Sequence, residues 1–507
     1  MRQVTLAVLL CLIPAGVLAA PSGSLVEAIR NRDAAATRAL LTRGGDINGT
    51  EADGTTPLHW AAHHGDAATV EALIGAGARV NATNRYGVAP IWLAATSGHA
   101  DVVDTLLRHG AAPETIRGES GETVLMIAAQ GGHVPVLQRL LARGANPNAK
   151  DAVRSQTSLM WAAAEGHAGA VRVLVEAGAQ VDARSMTGIT PLMFAIRAGH
   201  IETTLALLDR GATVQATAPD ATTMLGLAII NAHWELAARL LDQGADANGL
   251  DPRGRPLHLV AFMRRADNRG LSAWLPRKNR SSMGSLDFAR ALLAKGARIN
   301  DRIVYATPNY SPTHMALGGA GTTWVGATPL YIAAKNCDVE FVRFLADNGA
   351  DPEMANAAGV SPLLAAAGIG YTLGESPGTP DEAFETVKLL RGLGNDLSGT
   401  AAVPAAMSNA PAGGARVTIR QGWDGAGAMH GAVIRGADQL VLWLIEQGLP
   451  LDLKTKAGAT ALDLARGSSL GITYHVQPEL AAKIEKAMRA RGLPVPEHRY
   501  GIATAPN

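Results

Sequence analysis

The chain has 507 residues, a formal net charge of +1, 47% hydrophobic residues, only 4% aromatic residues and 56 glycines. This length exceeds what one compact core accommodates, so several domains or an array of small units is expected. The near-neutral charge argues against nucleic acid as a partner, because that affinity depends on neutralising phosphates.

The first residues have the layout of a secretory signal. Arg2 precedes an apolar run from Val4 to Ile13, and Val17, Leu18 and Ala19 end the segment. This predicts a signal peptide over residues 1–19 and an exported protein, periplasmic by preference, with secretion as the alternative. A retained anchor is disfavoured because the run is shorter than the roughly 20 residues that span a bilayer. We therefore expect no integral membrane segment after cleavage.

A 33-residue unit recurs along the chain. It reads GTTPLHWAAHHGDAATVEALIGAGARVNATNRY at 54–86, SQTSLMWAAAEGHAGAVRVLVEAGAQVDARSMT at 155–187 and GITPLMFAIRAGHIETTLALLDRGATVQATAPD at 188–220. Each copy has a Thr-type helix start, a glycine turn, a second apolar helix and a Gly-Ala exit. One such unit cannot bury its apolar face alone, so the pattern predicts a stack.

These residues resemble the ankyrin repeat family, whose signature runs G-x-T-P-L-H-x-A-A-x-x-G-H. The resemblance extends over about twelve units from Ser24 to about Pro496 and is to exported bacterial-type members. It implies an all-α fold of helix pairs with short β-hairpin fingers, stacked as an ankyrin-repeat α-solenoid. It also implies a scaffold that binds another protein through its concave face, finger tips and insertions.

The repeats divide the chain into five predicted segments. Residues 1–19 are the signal, 20–253 regular repeats with an N-terminal cap, 254–457 two expanded-plus-regular pairs, 458–496 a C-terminal capping repeat and 497–507 a tail. Long insertions fall at 264–285, 301–325, 370–383 and 397–424. Insertions of this length are uncommon unless they are functional or disordered.

The resemblance implies that partners contact the variable finger positions and the ends of the first, inner helix of each unit. The candidate residues are Asp53, His63, His64, Arg85, Tyr86, Glu119, Gln130, Arg154, Glu165, Met186, Arg197, Trp324 and Trp423. Stoichiometry and the identity of the protein partner are left open by the sequence.

Two pairs of tryptophans are predicted to have different environments. Trp324 and Trp423 occupy equivalent finger-tip positions that point to solvent in the family, which makes them candidate anchors for a partner. The alternative is that the insertions cover them, Tyr305 and Tyr310 over Trp324, and Val417 and Ile419 over Trp423. Trp60 and Trp161 occupy the apolar fifth position of the inner helix and are predicted to lie in the core.

A basic run marks the first insertion. It comprises Arg264, Arg265, Arg269, Trp274, Arg277, Lys278 and Arg280. A solvated loop is the simplest interpretation, and contact with an acidic partner or an anionic membrane surface is the alternative.

The histidines are predicted to be structural. Five fall in or next to a Gly-His turn, and His59, His258 and His430 follow the helix start, where the resemblance implies bonds to backbone groups of neighbouring turns. His63 and His64 are exposed, but the next unit offers them no acid or histidine as a metal co-ligand. We predict no catalytic residues, metal or cofactor, since the common catalytic motifs are absent.

Two alternative functions remain open at this stage. The first is an enzyme, or an enzyme-associated subunit, with its site among the insertions. The second is a structural spacer in an envelope complex, which would have the same sequence features.

The role of Cys337 is also open. It is the one cysteine outside the predicted signal, and it stands where other units have a turn glycine. It is either a tolerated small residue or a redox-sensing thiol.

Overall fold

The computed structural model describes residues 23–265, 282–304, 324–370, 378–402, 423–467 and 476–497. Its contacts divide the chain into two units, the first ending at Thr213 and the second beginning at Val214. Both units consist of paired helices, which confirms the predicted fold class. No helix in these ranges combines the length and the apolar character that crossing a bilayer requires.

The first unit contains six helix pairs within the described residues. They are α1 (Leu25–Arg30), α2 (Ala34–Thr42), α3 (Pro57–His64), α4 (Ala67–Gly75), α5 (Pro90–Thr96), α6 (Ala100–Arg108), α7 (Val124–Gln130), α8 (Val134–Ala142), α9 (Ser158–Glu165), α10 (Ala168–Glu176), α11 (Pro191–Ala198) and α12 (Ile201–Leu208). The odd-numbered inner helices pack on one another, and so do the outer helices from α4 to α12, which gives two layers.

The described part of the second unit also contains six pairs. They are α13 (Met224–Ile230), α14 (Trp234–Asp242), α15 (Pro256–Met263), α16 (Ser285–Ala294), α17 (Pro329–Lys335), α18 (Val339–Asp347), α19 (Pro362–Ala367), α20 (Pro380–Gly392), α21 (Ala428–Arg435), α22 (Asp438–Glu446), α23 (Ala461–Ala465) and α24 (Pro478–Ala490). Inner helices again pack on inner helices, as α15 does on α17 and α17 on α19.

Most inner helices start at a capping residue whose side chain satisfies an orphan backbone group. The Thr56 hydroxyl accepts the His59 N–H, and His59 Nδ1 in turn accepts the Thr56 N–H at 3.1 Å. Pro57 at the first helical position needs no partner for its nitrogen. Small residues follow, and Ala61 and Ala62 are fully buried, as are Ala94 and Ala95 one repeat later. Their size lets successive inner helices approach closely.

Within the first unit, from its second repeat onwards, a glycine-histidine contact links each repeat to the next. His99 Nε2 donates to the His63 carbonyl at 3.2 Å, and its ring lies against Gly65, where a Cβ would stand 2.6 Å from His99 Nδ1. Gly65 also has φ +74°, so both its backbone and its neighbour require glycine. The same histidine bonds recur at His133 and His167, to the carbonyls of Thr96 and Gln130.

The fingers are mostly tight turns. One forms a two-stranded antiparallel ribbon, β1 (Ile116–Arg117) with β2 (Glu122–Thr123), in which Ile116 pairs with Thr123. At the base of the fingers, asparagines bridge successive repeats. Asn48 Nδ2 donates to the Gly77 carbonyl at 3.1 Å while its Oδ1 accepts the Arg79 N–H at 2.9 Å. These bonds fix the spacing between neighbouring fingers.

Cys337 occupies the turn between α17 and α18 with φ 54°, where most other turns use glycine and two use Arg32 and Ala232. Its side chain is fully buried, and burial raises the pKa of the thiol. Reactive cysteines are exposed and have a lowered pKa. The structure therefore supports the interpretation of Cys337 as a small turn residue.

Candidate protein-binding face

The inner helices of the first unit leave one row of large apolar side chains incompletely covered. It takes one residue from the fifth position of each repeat, and the members are Trp60, Leu93, Ile127, Trp161 and Phe194. Ile127 and Phe194 each keep 9% exposure, and the other three are more exposed. We call this row, together with the helix ends beside it, the inner-helix face.

The row faces away from the core because of helical periodicity. In α3 the buried residues are those from Pro57 to His59 together with Ala61 and Ala62, whereas Trp60, His63 and His64 remain accessible. Residues three and four apart share one face of a helix. The same spacing places Gln130 after Ile127, Glu165 after Trp161 and Arg197 after Phe194.

The predicted candidates at the helix ends therefore lie together on this face. His63 and His64 contact the Trp60 ring, with ring centroids 5.9 and 5.8 Å away. Burial is the main cause that lowers the pKa of both histidines. His64 Nε2 donates to the Arg30 carbonyl and its Nδ1 accepts from Arg32 Nε, each at 3.2 Å. The neutral tautomer is thus held in place.

The positive end of the face is formed by Arg197. Its guanidinium lies 5.2 Å from the centroid of the Phe194 ring, and burial lowers its pKa. An arginine over an aromatic ring keeps its charge accessible while the ring is partly desolvated. Gln130 is partly exposed and Glu165 is exposed, so both are accessible to a partner.

The predicted finger residues are a second group at the loop tips. Arg85, Tyr86, Glu119, Arg154 and Met186 are all exposed, with 46% of Tyr86 and 67% of Met186 accessible. Asp53 differs, because it is only partly exposed and its Oδ1 accepts the Thr55 N–H at 2.9 Å. Its carboxylate is therefore engaged in shaping the turn.

The fingers and the inner helices are in contact. Trp60 Nε1 donates to Glu51 Oε2 at 3.2 Å, and Glu51 Oε1 pairs with Arg30 Nη1 at 2.7 Å. The Arg117 guanidinium lies 5.9 Å from the Trp92 ring centroid. Finger tips and inner-helix face therefore border one another.

The prediction that Trp60 and Trp161 lie in the core is wrong. Both are partly exposed, because the fifth position of an inner helix points away from the outer layer. The sequence analysis did not identify these two tryptophans as surface residues. Their spacing could have done so, because Trp60 lies three and four residues before His63 and His64, which were predicted to contact a partner.

The interpretation of Trp423 as an exposed anchor is also wrong, whereas the alternative of a covered side chain agrees with its burial. Its side chain is only 5% exposed. The finger closes over it through paired backbone bonds, Ala401 N to the Ala426 carbonyl at 2.9 Å and Gly425 N to the Ala401 carbonyl at 2.8 Å. The proposed covers Val417 and Ile419 lie outside the described residues.

Trp324 is partly exposed and rests on inner helices of its own unit. Its ring meets Phe262 edge-on at 5.0 Å and Tyr331 at 6.5 Å, and Lys335 Nζ lies 5.0 Å from its centroid. Lys335 is a buried cation that sequence reasoning did not select; it donates to the Gly370 carbonyl at 3.2 Å, and burial lowers its pKa to about 8. Tyr305 and Tyr310 lie outside the described residues.

The interpretation of the basic run as a solvated or partner-contacting loop is wrong for its first two members. Arg264 pairs with Asp338 and Glu340, and Arg265 Nη2 pairs with Glu382 Oε1 at 2.8 Å. These arginines therefore join repeats of the second unit. The other members, Arg269, Trp274, Arg277, Lys278 and Arg280, lie outside the described residues, as do large parts of the insertions on which the enzyme alternative depends.

The structural interpretation of the helix-start histidines is confirmed. His59, His258 and His430 have no exposed surface, and each Nε2 donates to a carbonyl of the next repeat, those of Val88, Asp301 and Ala459. Burial lowers the pKa of all three. Within the described ranges, no group of three or more His, Cys, Asp or Glu side chains is placed to hold a metal ion.

Family models match the chain in both units. A model described as ankyrin repeats in three copies matches residues 25–117, 70–151 and 125–218, and a model described as a single ankyrin repeat matches 325–357. The matched parts of the chain, residues 25–218 and 325–357, are ankyrin repeats. Ankyrin repeats typically act as protein-binding scaffolds and usually carry no enzymatic activity, so protein partners are the expectation for this chain.

A solved structure is also similar to part of the chain. The crystal structure of the human ASB11 ankyrin repeat domain is 29% identical over 41% of this chain and 92% of that chain, with a TM-score of 0.37. No curated protein matches the chain.

Proposed function

We propose that this chain, with about twelve ankyrin repeats, is an exported scaffold that binds another protein through the inner-helix face and the adjoining finger tips. The observation that carries the proposal is the apolar row along α3 to α11. Trp60, Leu93 and Trp161 keep partly exposed apolar surface along this row, and exposed apolar patches on a monomer often mark binding sites. Five helices held by regular packing also present the row without a large ordering cost.

The two tryptophans are the expected anchors of this interface. Tryptophan is enriched among residues that dominate binding energy, and Trp60 and Trp161 are separated by the smaller Leu93 and Ile127. Polar groups at the helix ends, including His63 and Arg197, would form the rim. This arrangement of apolar centre and polar rim is usual in protein interfaces.

Photo-crosslinking tests which face binds the partner. A photoreactive phenylalanine derivative at Leu93 is expected to capture the partner in the native compartment, whereas the same group at Ile74 on α4 is expected to capture none. Both positions are partly exposed and apolar, but Ile74 lies on the outer layer. Equal capture from both positions, or no capture from Leu93, would contradict the proposal.

Replacing Trp60 and Trp161 by alanine is expected to weaken binding of the captured protein at least about 30-fold, because the loss of even one anchor typically costs about 2 kcal/mol or more. Titration calorimetry on the full chain measures the affinity. The matched control I74A/L205A truncates partly exposed outer-layer residues and is expected to leave the affinity unchanged. Unaltered melting of both variants separates loss of binding from loss of folding.

Export is proposed on the sequence of residues 1–19 alone. We expect cleavage after Ala19, so that the mature chain begins at Ala20, with the protein in the periplasm. N-terminal sequencing of the protein from fractionated cells checks this. Full-length chain confined to the cytoplasm would show that the segment is not a signal.

A further inference from the structure

Four consecutive fingers of the first unit repeat the same pair of exposed side chains. Each presents one arginine and, within two residues, one large apolar side chain. The arginines are Arg85, Arg117, Arg154 and Arg184. The apolar residues are Tyr86, Ile116, Val153 and Met186, which are 46, 53, 58 and 67% exposed. We call these eight residues the finger row.

Backbone hydrogen bonds join three of these fingers to the finger before them. Arg85 N donates to the Asp53 carbonyl at 2.8 Å, Ala152 N to the Ser120 carbonyl at 3.0 Å and Met186 N to the Arg154 carbonyl at 2.9 Å. Exposed side chains on a fixed backbone lose less conformational freedom on binding than side chains on a mobile loop. The finger row is therefore organised before any partner arrives.

The exposed charge of the row is mainly positive. Arg154 and Arg184 have no carboxylate within ion-pair distance in the described part of the chain, and Arg117 reaches Glu122 only at 3.8 Å. Glu114, Glu119 and Asp182 are the exposed acids of these loops, and of these Glu114 accepts the Asn146 N–H and Asp182 accepts the Thr213 hydroxyl. Asp151 is buried, with its carboxylate accepting the N–H groups of Val153, Arg154 and Gln156. An acidic partner would thus meet accessible arginines.

We propose that the finger row binds an extended acidic segment of the partner in which carboxylates alternate with large apolar side chains. Neighbouring inner helices pack about 8–10 Å apart, and an extended chain covers that distance in about three residues. A segment of about ten residues, with an acid and an apolar residue in each group of three, would match all four fingers. The inference rests on the proposed function and assigns the chemistry of the partner.

The apolar half of the row favours a peptide over the other polyanions. Three of its four members are aliphatic and offer no flat surface for stacking on nucleobases, which is how single strands are usually held. An acidic peptide satisfies both halves of each pair, because its carboxylates meet the arginines and its apolar side chains cover Ile116, Val153 and Met186.

Three fluorescent twelve-residue peptides test the inference by anisotropy at low and moderate salt. They are four copies of Glu-Leu-Ser, of Gln-Leu-Ser and of Glu-Ser-Ser. We expect the first to bind at least tenfold more tightly than the other two, and its affinity to fall with salt. Equal affinities for the three peptides would overturn the inference. So would preferential binding of phosphatidylserine vesicles or single-stranded DNA.

Charge reversal assigns the binding to the row. R154E/R184E is expected to lower the affinity for the Glu-Leu-Ser peptide at least tenfold, and V153S/M186S is expected to lower it several-fold. The control R38E/R172E makes the same charge change on exposed outer-helix positions and is expected to alter the affinity less than twofold. An equal loss in the control would show a non-specific charge effect and overturn the assignment. Capture from Leu93 without peptide binding would reject this inference alone, leaving the proposed function standing.

Discussion

Replacing Arg264 by alanine is expected to lower the free energy of unfolding of the second unit by about 3–5 kcal/mol, the usual effect of removing one partner of a buried ion pair. Arg264 Nε lies 2.7 Å from Asp338 Oδ2, and Nη2 lies 3.0 Å from Asp338 Oδ1. Only 10% of the Arg264 side chain and 4% of the Asp338 side chain are exposed. Denaturant titration followed by circular dichroism measures the loss.

The effect is attributed to the carboxylate that would be left buried without its counter-charge. Asp338 still caps α18 by accepting the Phe341 N–H at 3.1 Å, so the double variant R264A/D338N is expected to recover part of the stability. As a matched control, R290A removes an ion pair to Asp287 in which both side chains are 60% exposed. Such surface pairs contribute at most about 1 kcal/mol. A cost for R264A no larger than that of R290A would contradict the prediction.

The Arg264 pair also shows where sequence reasoning stops. Arg264 and Arg265 begin a run of basic residues, so they were predicted to form part of an exposed insertion. Their partners Asp338 and Glu382 lie 74 and 117 residues further along the chain. No local pattern signals an ion pair over such separations. The pairing depends on how the expanded repeat is stacked on those that follow.

Features that recur at a fixed offset were predictable. The Thr56 cap, the Gly65 turn and the bond from His99 to the preceding repeat each involve residues whose spacing repeats along the chain. Local sequence determines these bonds because every repeat presents the same groups to the next. The helix pairs of both units follow from the same periodicity.

The exposure of individual aromatic residues was not predictable in this way. Trp60 and Trp161 are apolar residues inside a helix and were predicted to lie in the core, whereas they lie on the inner-helix face. Trp423 follows a long insertion, and its sequence left open whether it is an exposed anchor or is covered; it is buried. Residue type shows that a position is hydrophobic. Whether the side chain is buried depends on whether another layer of the structure packs over it. The binding roles of all the candidate residues stay predictions.

If both proposals hold, the inner-helix face and the finger row have different roles in binding. The face would supply apolar area around Trp60 and Trp161, and the row would supply charge that selects an acidic segment. Electrostatic complementarity governs specificity and the rate of association more than affinity. Variants of the face are therefore expected to change mainly the dissociation rate of a partner, and variants of Arg154 and Arg184 the association rate and its salt dependence.

Acidification is expected to destabilise the second unit between about pH 6.5 and pH 4 through its buried histidines. Burial lowers the pKa of His258 from an ordinary value of 6.5 to about 4, and it also lowers the pKa of His430. His258 must stay neutral because its Nδ1 accepts the Arg255 N–H while its Nε2 donates to the Asp301 carbonyl at 2.9 Å. Protonation would remove the acceptor and leave a charge without solvent.

Stability falls with falling pH because the unfolded chain binds the His258 proton at a higher pH than the folded chain does. As the pH falls, the unfolded chain protonates near pH 6.5, whereas the folded chain resists until about pH 4, so the contribution of His258 is complete above the first value and lost towards the second. The gap between the two pKa values of His258 corresponds to about 3 kcal/mol of folding free energy.

Melting temperatures measured from pH 7.5 to pH 4.5 test this dependence of stability on pH. H258Q is expected to melt lower than the wild type at pH 7.5, yet to lose less stability on acidification, because glutamine does not titrate. Carboxylates lower the melting temperature of both proteins equally as the pH falls. If the melting temperatures of the wild type and H258Q fell by the same amount, His258 would not be the cause of the acid sensitivity.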